Sequence, residues 1–299
     1  MKTTIHCNGT GSNDSAEALE QTQILQKSKE GLSAGITAND RNDKLACCRI
    51  CESNAERFAT SDNILRKYIA NYYRCPNCDF IFIADPFWLP EAYATALAKA
   101  DTGALHRNVT TASVTCCVLR LLRPRSKLFL DFGGGHGVLV RMMRDLGFDF
   151  HWSDAFAENL FARGFEQQPG CKYDLVTAFE VLEHLANPLD EISKMMALAD
   201  DVLVSTEILS DPPQKPGDWW YYAISTGQHI SFYSKKTLNV IARKFDRHVV
   251  SAGAIHFFSK SPISSLTFNV IANARLARIT KLAARRRSLV QADFERFTT

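Results

Sequence analysis

The sequence contains no run of about 18 or more apolar residues, so no segment is long and apolar enough to cross a bilayer as a helix. Cysteine is sparse: nine in 299 residues cannot lace a disulfide scaffold. Met1–Ser15 has no apolar stretch that would form the core of a secretory signal. These absences lead us to expect a cytoplasmic protein with reduced thiols. Internal repeats are absent too. Net charge is small, +3, and uneven, because residues 270–299 hold seven basic and two acidic side chains. A slightly acidic body therefore carries a basic tail, and nucleic acid is not an expected partner of the body. With 46% hydrophobic and 22% charged residues, the chain has enough apolar surface for one large domain or two smaller ones, which excludes a disordered polymer over most of its length.

Residues 1–43 are rich in Asn, Ser, Thr, Gly, Asp and Gln, the composition of a mobile leader with at most one short helix. Residues 44–88 read as a small module of short strands, with apolar runs such as Phe80-Ile81-Phe82-Ile83 among spaced cysteines. Linking helices are expected over 89–123, stopped by Pro124. Over 124–260 strands and helices alternate, the pattern of an open, mostly parallel, doubly wound α/β sheet. The segments expected as strands are Leu128–Leu130, Asp149–Ser153, Phe161–Phe165, Asp174–Phe179 and Val202–Thr206. Helices are expected at Gly137–Leu146, Ala155–Leu160 and Pro188–Ala199. Residues 261–299 read as a basic C-terminal helical tail in which Arg275, Arg278, Lys281, Arg285, Arg286 and Arg287 form a solvated face; peripheral contact with an anionic membrane surface, or with RNA, is the alternative.

Asp131-Phe132-Gly133-Gly134-Gly135-His136-Gly137 follows a strand and opens a helix, a context in which glycines let a ligand approach the backbone closely. A dinucleotide fingerprint has Gly-x-Gly-x-x-Gly, and the residue in its last position here is Val138, which argues against NAD or FAD. Asp131 at the strand end would repel a pyrophosphate and attract an ammonium, which suits the methionine end of S-adenosylmethionine. Asp154, which ends the second expected strand, is placed to accept two ribose hydroxyls. The plainer alternative is that Gly133, Gly135 and Gly137 make a tight turn and Asp154 caps the next helix.

These residues, with the segment Tyr173-Asp174-Leu175-Val176-Thr177-Ala178-Phe179-Glu180-Val181-Leu182-Glu183-His184, resemble the class I S-adenosylmethionine-dependent methyltransferases of the type 11/23 kind, over about Lys127 to Phe258. The resemblance implies a Rossmann-like fold in which Asp131 and the loop glycines hold the methionine part, Asp154 the ribose, and Phe179 and Glu180 lie beside the cofactor. It also implies methyl transfer to a hydroxyl or activated carbon of a small metabolite or sugar-linked intermediate. The stretch between Ala155 and Cys171 is short for the family and offers no clear acid for the adenine amino group.

Cys48-Arg-Ile-Cys51 and Cys75-Pro-Asn-Cys78 are two Cys-x-x-Cys knuckles separated by 23 residues. Four thiolates close a tetrahedral Zn²⁺ site with no open position, so the ion would be structural. A module this small has too little core to fold without such a staple. Redox or merely buried thiols are the alternative, and Cys47 could stand in for Cys48. Knuckles followed by a helix also resemble the N-terminal zinc module of some methyltransferases that act on sugars and small metabolites.

For the chemistry itself, methyl transfer needs alignment, exclusion of water and a place for the acceptor's proton. His184, at the carboxyl edge of the sheet, is a candidate general base, with a helix-capping role as its alternative. Glu180, Glu183 and His184 repeat the Glu-x-x-Glu-His arrangement of ubiquinone-type O-methyltransferases, which implies a Mg²⁺ site. The aromatic run Trp219–Tyr222 and His229 form a second candidate region, from which at least one of Tyr221, Tyr222 and His229 is expected to face substrate, with Tyr222 and His229 the catalytic candidates and core packing the alternative. An RNA methyltransferase that uses the ribbon and the tail, and a non-catalytic cofactor-sensing scaffold, are the rival functions.

Overall fold

The computed structural model describes residues 45–94, 101–273, 277 and 286–298. The expected leader lies outside the described residues, as does most of the basic stretch of the tail. Residues 44–167 and 172–299 form one compact unit, and Gln168–Cys171 belongs to a second. Among the described residues no helix is long and apolar enough to cross a membrane.

Two sheets organise the unit. The larger has the order β10-β11-β8-β7-β5-β6, with β5 at Leu128–Phe132, β6 at Asp149–Ser153, β7 at Leu175–Phe179, β8 at Val202–Ser205, β10 at His248–Ala252 and β11 at Ile255–Ser259. The β6-β5-β7-β8 part is parallel, and β11 and β10 add antiparallel at one edge. This is the α/β, mostly parallel sheet that the alternation implied. Phe129 and Leu130 of β5 and all four residues of β8 are buried, as expected of strands covered on both faces. Helix α2 (Ala104–Leu121) buries Thr111–Leu119, and its apolar side chains join Phe129, Leu139, Met143, Phe148 and Leu203 in one core. From β5 the chain goes to β6 on one side and to β7 on the other, so the loops leaving β5 and β7 share a crevice at the strands' carboxyl ends.

The smaller, antiparallel sheet has the order β1-β2-β3-β4-β9, with β1 at Leu45–Cys47, β2 at Asn54–Ile64, β3 at Tyr68–Arg74, β4 at Ile81–Ile83 and β9 at Ser231–Phe232. Its last strand comes from far along the chain: Ile81 pairs with Phe232 and Phe82 with Ser231. Tyr72, Ile81, Ile83 and Trp88 pack with Tyr221, Tyr222, Ile230 and Phe232 in a second core. The cysteine-bearing strands bury their apolar face against the aromatic segment, which supplies the core they lack alone.

The stretch after Asp154 differs from expectation. No helix forms over Ala155–Leu160, and the strand expected at Phe161–Phe165 shrinks to a single bridge between Trp152 and Glu166. Side chains take the backbone groups that a helix would use: Asp154 Oδ1 accepts from the amides of Phe156 and Ala157, and Asn159 Oδ1 from that of Ala162. Such local bonds compete with helix formation.

In the described part of the tail Phe268, Ile271, Ala277 and Asp293 are buried, while most other residues are exposed. Helix α6 (Ser265–Ile271) buries Phe268 and Ile271 in the main core. The Arg286 guanidinium lies 4.6 Å from the centre of the Phe148 ring. Helix α7 (Val290–Thr298) is held by Asp293, which takes two bonds from Arg144, at 2.9 and 2.7 Å.

Candidate active site

The glycine loop is built for close approach. Gly133, Gly135 and Gly137 have φ values of 69, 53 and 85°, a region that costs other residues roughly 1 kcal/mol or more. A Cβ on Gly133 would lie 2.6 Å from Val181 Cγ2, whereas at Gly135 nothing lies within 4 Å, so the loop is tight beneath and open above. Gly134, which the spacing argument passed over, is equally constrained: its Cβ would meet Asp131 Oδ2 and Trp152 Cδ1, both at 2.9 Å. The loop is pinned to the end of β6. The amides of Gly133 and Gly134 donate to the Ser153 carbonyl at 2.8 and 3.1 Å, and Trp152 Nε1 donates to the Gly135 carbonyl at 2.8 Å.

Asp131 lies under this loop, 3% exposed, and accepts a 2.7 Å bond from Thr177 Oγ1. Burial pushes its carboxyl up to about 7, against the pull of the Thr177 bond. Asp154 faces the loop from the other side, and its Oδ2 accepts from the Gly135 amide at 2.8 Å. It therefore caps backbone as the plainer alternative held, yet a carboxylate has about four lone-pair sites, and three amides leave room for a further donor.

At the end of β7, Phe179 packs against the main core. Glu180 sits at φ 55°. Its amide donates to Ser205 Oγ at 2.8 Å, that hydroxyl donates back to Glu180 Oε1 at 2.6 Å, and Arg107 Nε of α2 stands 3.5 Å from Oε2. Arg107 had no signal in the sequence.

The chain then turns through Leu182–His184, and three bonds tie this turn to the β9 segment. Ile230 N donates to the Glu183 carbonyl at 2.9 Å, Tyr233 Oη to that of Leu182 at 2.9 Å, and Ser231 Oγ to that of Leu185 at 2.7 Å. His184 and His229 meet edge to face with ring centres 4.8 Å apart. Their Nδ1 atoms donate to the carbonyls of Gln228 and Tyr221, at 3.1 and 2.6 Å, which leaves a lone pair on each Nε2. Burial holds both imidazoles neutral, His184 down at about 4 and His229 at about 3, and pushes the Glu183 carboxyl up to about 8. Glu183, His184 and His229 each offer a ligand atom within 4.8 Å of the others. His229, not Glu180, completes this group. Tyr93 connects it to the loop region: its ring stacks on Phe156, two residues beyond Asp154, at 5.4 Å and meets His184 at 6.0 Å.

The structure places Tyr222 elsewhere. It is 1% exposed in the second core, its hydroxyl donates to the Gln214 carbonyl at 2.7 Å, and its ring lies 4.4 Å from that of Phe232. The neighbouring Tyr221 is the one beside the histidines, 4.7 Å from His229, with its hydroxyl 3.0 Å from Thr206 Oγ1. In a 3₁₀ turn (Trp220–Tyr222) adjacent side chains diverge, which a run of aromatics does not disclose.

Cys48, Cys51, Cys75 and Cys78 converge with sulfurs within 4.8 Å of one another. The 48–78 and 51–75 sulfur pairs are 3.5 and 3.4 Å apart, too long for disulfides and close to the roughly 3.8 Å edge of a ZnS₄ tetrahedron. Hydrogen bonding from Cys78 pulls the Cys48 thiol down to about 5. Cys47 is exposed and outside the cluster, so Cys48 is the member of this knuckle that faces the other three. The four thiols fit a structural zinc ion.

Residues 111–252 match the family described as a methyltransferase domain. Over these 142 of its 299 residues the chain is similar to a methyltransferase domain. No curated protein matches the sequence. Among solved structures, the magnesium protoporphyrin IX methyltransferase of Synechocystis PCC 6803 is 16% identical, covering 57% of this chain and 90% of that one, with a TM-score of 0.40. An O-methyltransferase family protein from Burkholderia thailandensis is 16% identical over 60% of this chain and 69% of its own, at 0.41. An amino pentose methyltransferase from Micromonospora echinaspora is 13% identical over 55% and 98%, at 0.41. The methyltransferase domain match begins inside α2, whose buried half belongs to the main core. It takes in the glycine loop, Glu180, the Leu182–His184 turn and His229.

Proposed function

We propose that the protein is a cytoplasmic S-adenosylmethionine-dependent methyltransferase acting on a hydroxyl or activated carbon of a small metabolite or sugar-linked intermediate. The observation that carries this is the continuity at one sheet edge: Gly133 packs on Val181, next to the Leu182–His184 turn, and Tyr93 spans from Phe156 beside Asp154 to His184. Cofactor cradle and polar group are thus neighbours.

Asp131 and the open upper side of the glycine loop take the methionine end, with the ionised carboxylate facing the ammonium. Asp154 takes the ribose hydroxyls on its free lone pairs. Phe179 and Glu180 border the cofactor, and Arg107 holds the Glu180 carboxylate in place. The acceptor atom attacks the methyl carbon in line as the carbon–sulfur bond breaks, and the electron pair stays on sulfur in S-adenosylhomocysteine. The acceptor's proton leaves towards the lone pairs of His184 and His229, which the two backbone carbonyls orient. Zinc on the four thiols, when bound, supplies only a cross-link, since a closed tetrahedron leaves no position for substrate.

Calorimetry with S-adenosylhomocysteine tests the reading. Micromolar binding that weakens at least tenfold in Gly133→Ala is expected. No binding at millimolar ligand, or unchanged binding in that variant, overturns it.

A further inference from the structure

Helix α7 reverses the usual partition of a surface helix. The one side chain it buries is a charge: Asp293 takes bonds from Arg144 at 2.9 and 2.7 Å and stands 2.9 Å from Arg141 Nη2. Its large apolar side chains are left outside, with Val290 at 52%, Phe294 at 61% and Phe297 at 56% exposure. Spaced i, i+4 and i+7, they share one face, which a surface helix ordinarily turns to the core. The face continues onto the loop beside it. Phe297 lies over Gly164, where an added Cβ would collide with its Cζ, and Leu160 and Phe161 of the same loop are exposed too. Their amides donate to the His136 carbonyl at 3.1 and 3.0 Å, so this apolar face borders the glycine loop. An exposed apolar patch of this kind marks a contact site.

The surrounding charge is positive. Arg296 holds its guanidinium 5.5 Å from the centre of the Phe297 ring, Arg163 adjoins Gly164 with Glu158 3.4 Å away, and Arg287 precedes Val290 by three residues. Between 275 and 287 the sequence has six cations and no acid. Of the two acids in the helix, Asp293 is spent on Arg144 and Arg141, and Glu295 accepts from Gln291 at 2.9 Å. We propose that this face docks on an anionic lipid bilayer, with Val290, Phe294 and Phe297 entering the headgroup layer and the arginines meeting lipid phosphates. An apolar stripe and a positive stretch are the two signals that peripheral anchoring takes, since either alone binds weakly. A second copy of the chain fits less well, because pairing the stripes would bring two basic stretches together. Nucleic acid fits less well too, because the stripe offers its phosphates no cation. The inference rests on α7 and its surroundings and not on methyl transfer.

The test is co-sedimentation of the full-length, zinc-loaded chain with vesicles of phosphatidylcholine and phosphatidylserine in equal parts, and with vesicles of phosphatidylcholine alone. Binding to the mixed vesicles is expected, at least tenfold tighter than to the neutral ones and weakening as salt screens the charge. Phe294→Ser should weaken it at least tenfold again, while thermal unfolding and S-adenosylhomocysteine binding stay as in the parent chain. Val290→Ser decides the matter if Phe294→Ser does not fold. No binding to the mixed vesicles overturns the proposal. So does binding that both substitutions leave unchanged, which would assign the contact to the basic stretch alone. Self-association that Phe294→Ser abolishes would assign the stripe to a second copy, and single-stranded RNA bound more tightly than the mixed vesicles would assign the surface to nucleic acid; either result overturns the bilayer as its occupant.

Discussion

The four thiols and the Glu183–His184–His229 group are two polar clusters of opposite construction. Each thiol pair sits in a tight turn that makes its own backbone bonds, Glu52 N to Cys48 O at 2.9 Å in one knuckle and Asp79 N to Cys75 O at 2.8 Å in the other. The second cluster has no local geometry of its own, since a turn after β7 supplies two members and the approach to β9 supplies the third. The two are nevertheless coupled mechanically. Strand β9 is the last strand of the thiol-bearing sheet, and it carries the bonds that hold the Leu182–His184 turn. A locally encoded cluster therefore props up one that only the fold assembles.

That dependence yields the largest expected effect. Structural zinc contributes about 10 to 16 kcal/mol in isolated zinc modules, so Cys75→Ser, or a strong chelator, should melt the smaller sheet. Tyr221, Tyr222, Ile230 and Phe232 lose their packing partners with it. Hydrogen exchange should then show lost protection not only at residues 45–83 but also at 228–233, while the amides of β5, β7 and β8 stay protected. Protection retained at 228–233 after zinc loss would show that the two clusters stand independently.

How much of this was legible in the sequence follows from the same contrast. The Cys-x-x-Cys knuckles and the Asp131–Gly137 loop are short-range: their chemistry lies in consecutive residues, and the structure brings each together. Asp154 and the alternation of strands and helices depend only on the regularity of α/β units, which fixes how far apart the strand ends lie. His184 and His229 were visible as polar residues at strand ends, but their partnership was not, because it follows from β9 pairing with β4. Glu183 was visible with Glu180 and His184 as a Glu-x-x-Glu-His arrangement, but that His229 rather than Glu180 lies with Glu183 and His184 was not. Tyr221 and Tyr222 could not be ranked, since both rings pack in the second core and only the turn's geometry brings that of Tyr221 against His229 as well. The collapse of the third strand arose from side-chain caps at Asp154 and Asn159, which propensity does not weigh.

A second, smaller effect concerns how ionisation is controlled. In the four-thiol site a bound metal would set the charge, whereas at Asp131 burial sets it, with the carboxyl raised from 3.8 to about 7. The folded protein thus binds a proton here more tightly than the unfolded chain. The favourable contribution of this group to stability is complete below about pH 4 and is lost as pH rises through about 7. Cofactor affinity runs the other way, because the ammonium needs the ionised form. Binding of S-adenosylhomocysteine should strengthen from pH 5 towards 7, by up to about tenfold (1.4 kcal/mol) per unit, and level off above. Thr177→Val removes the bond that favours ionisation and should move the midpoint upward. Calorimetry across pH checks this, and an unchanged profile in Asp131→Asn would assign the titration to another group.

The smallest effect separates the two tyrosines. Tyr222 belongs to the core that the thiol sheet shares with β9, and its hydroxyl spends its proton on the Gln214 carbonyl. Tyr222→Phe should cost about 1 kcal/mol in denaturant unfolding, the usual net worth of one such bond. It should leave S-adenosylhomocysteine binding unaltered. Tyr221 stands between Thr206 and the histidines, and its carbonyl orients His229. Tyr221→Phe removes the hydroxyl that meets Thr206 and that helps Glu183 to ionise. That variant should lower methyl-transfer turnover more than stability. Equal stability losses in the two variants with unchanged turnover would mean that Tyr221 serves only the core it shares with Tyr222, and that the boundary between prop and site does not run between residues 221 and 222.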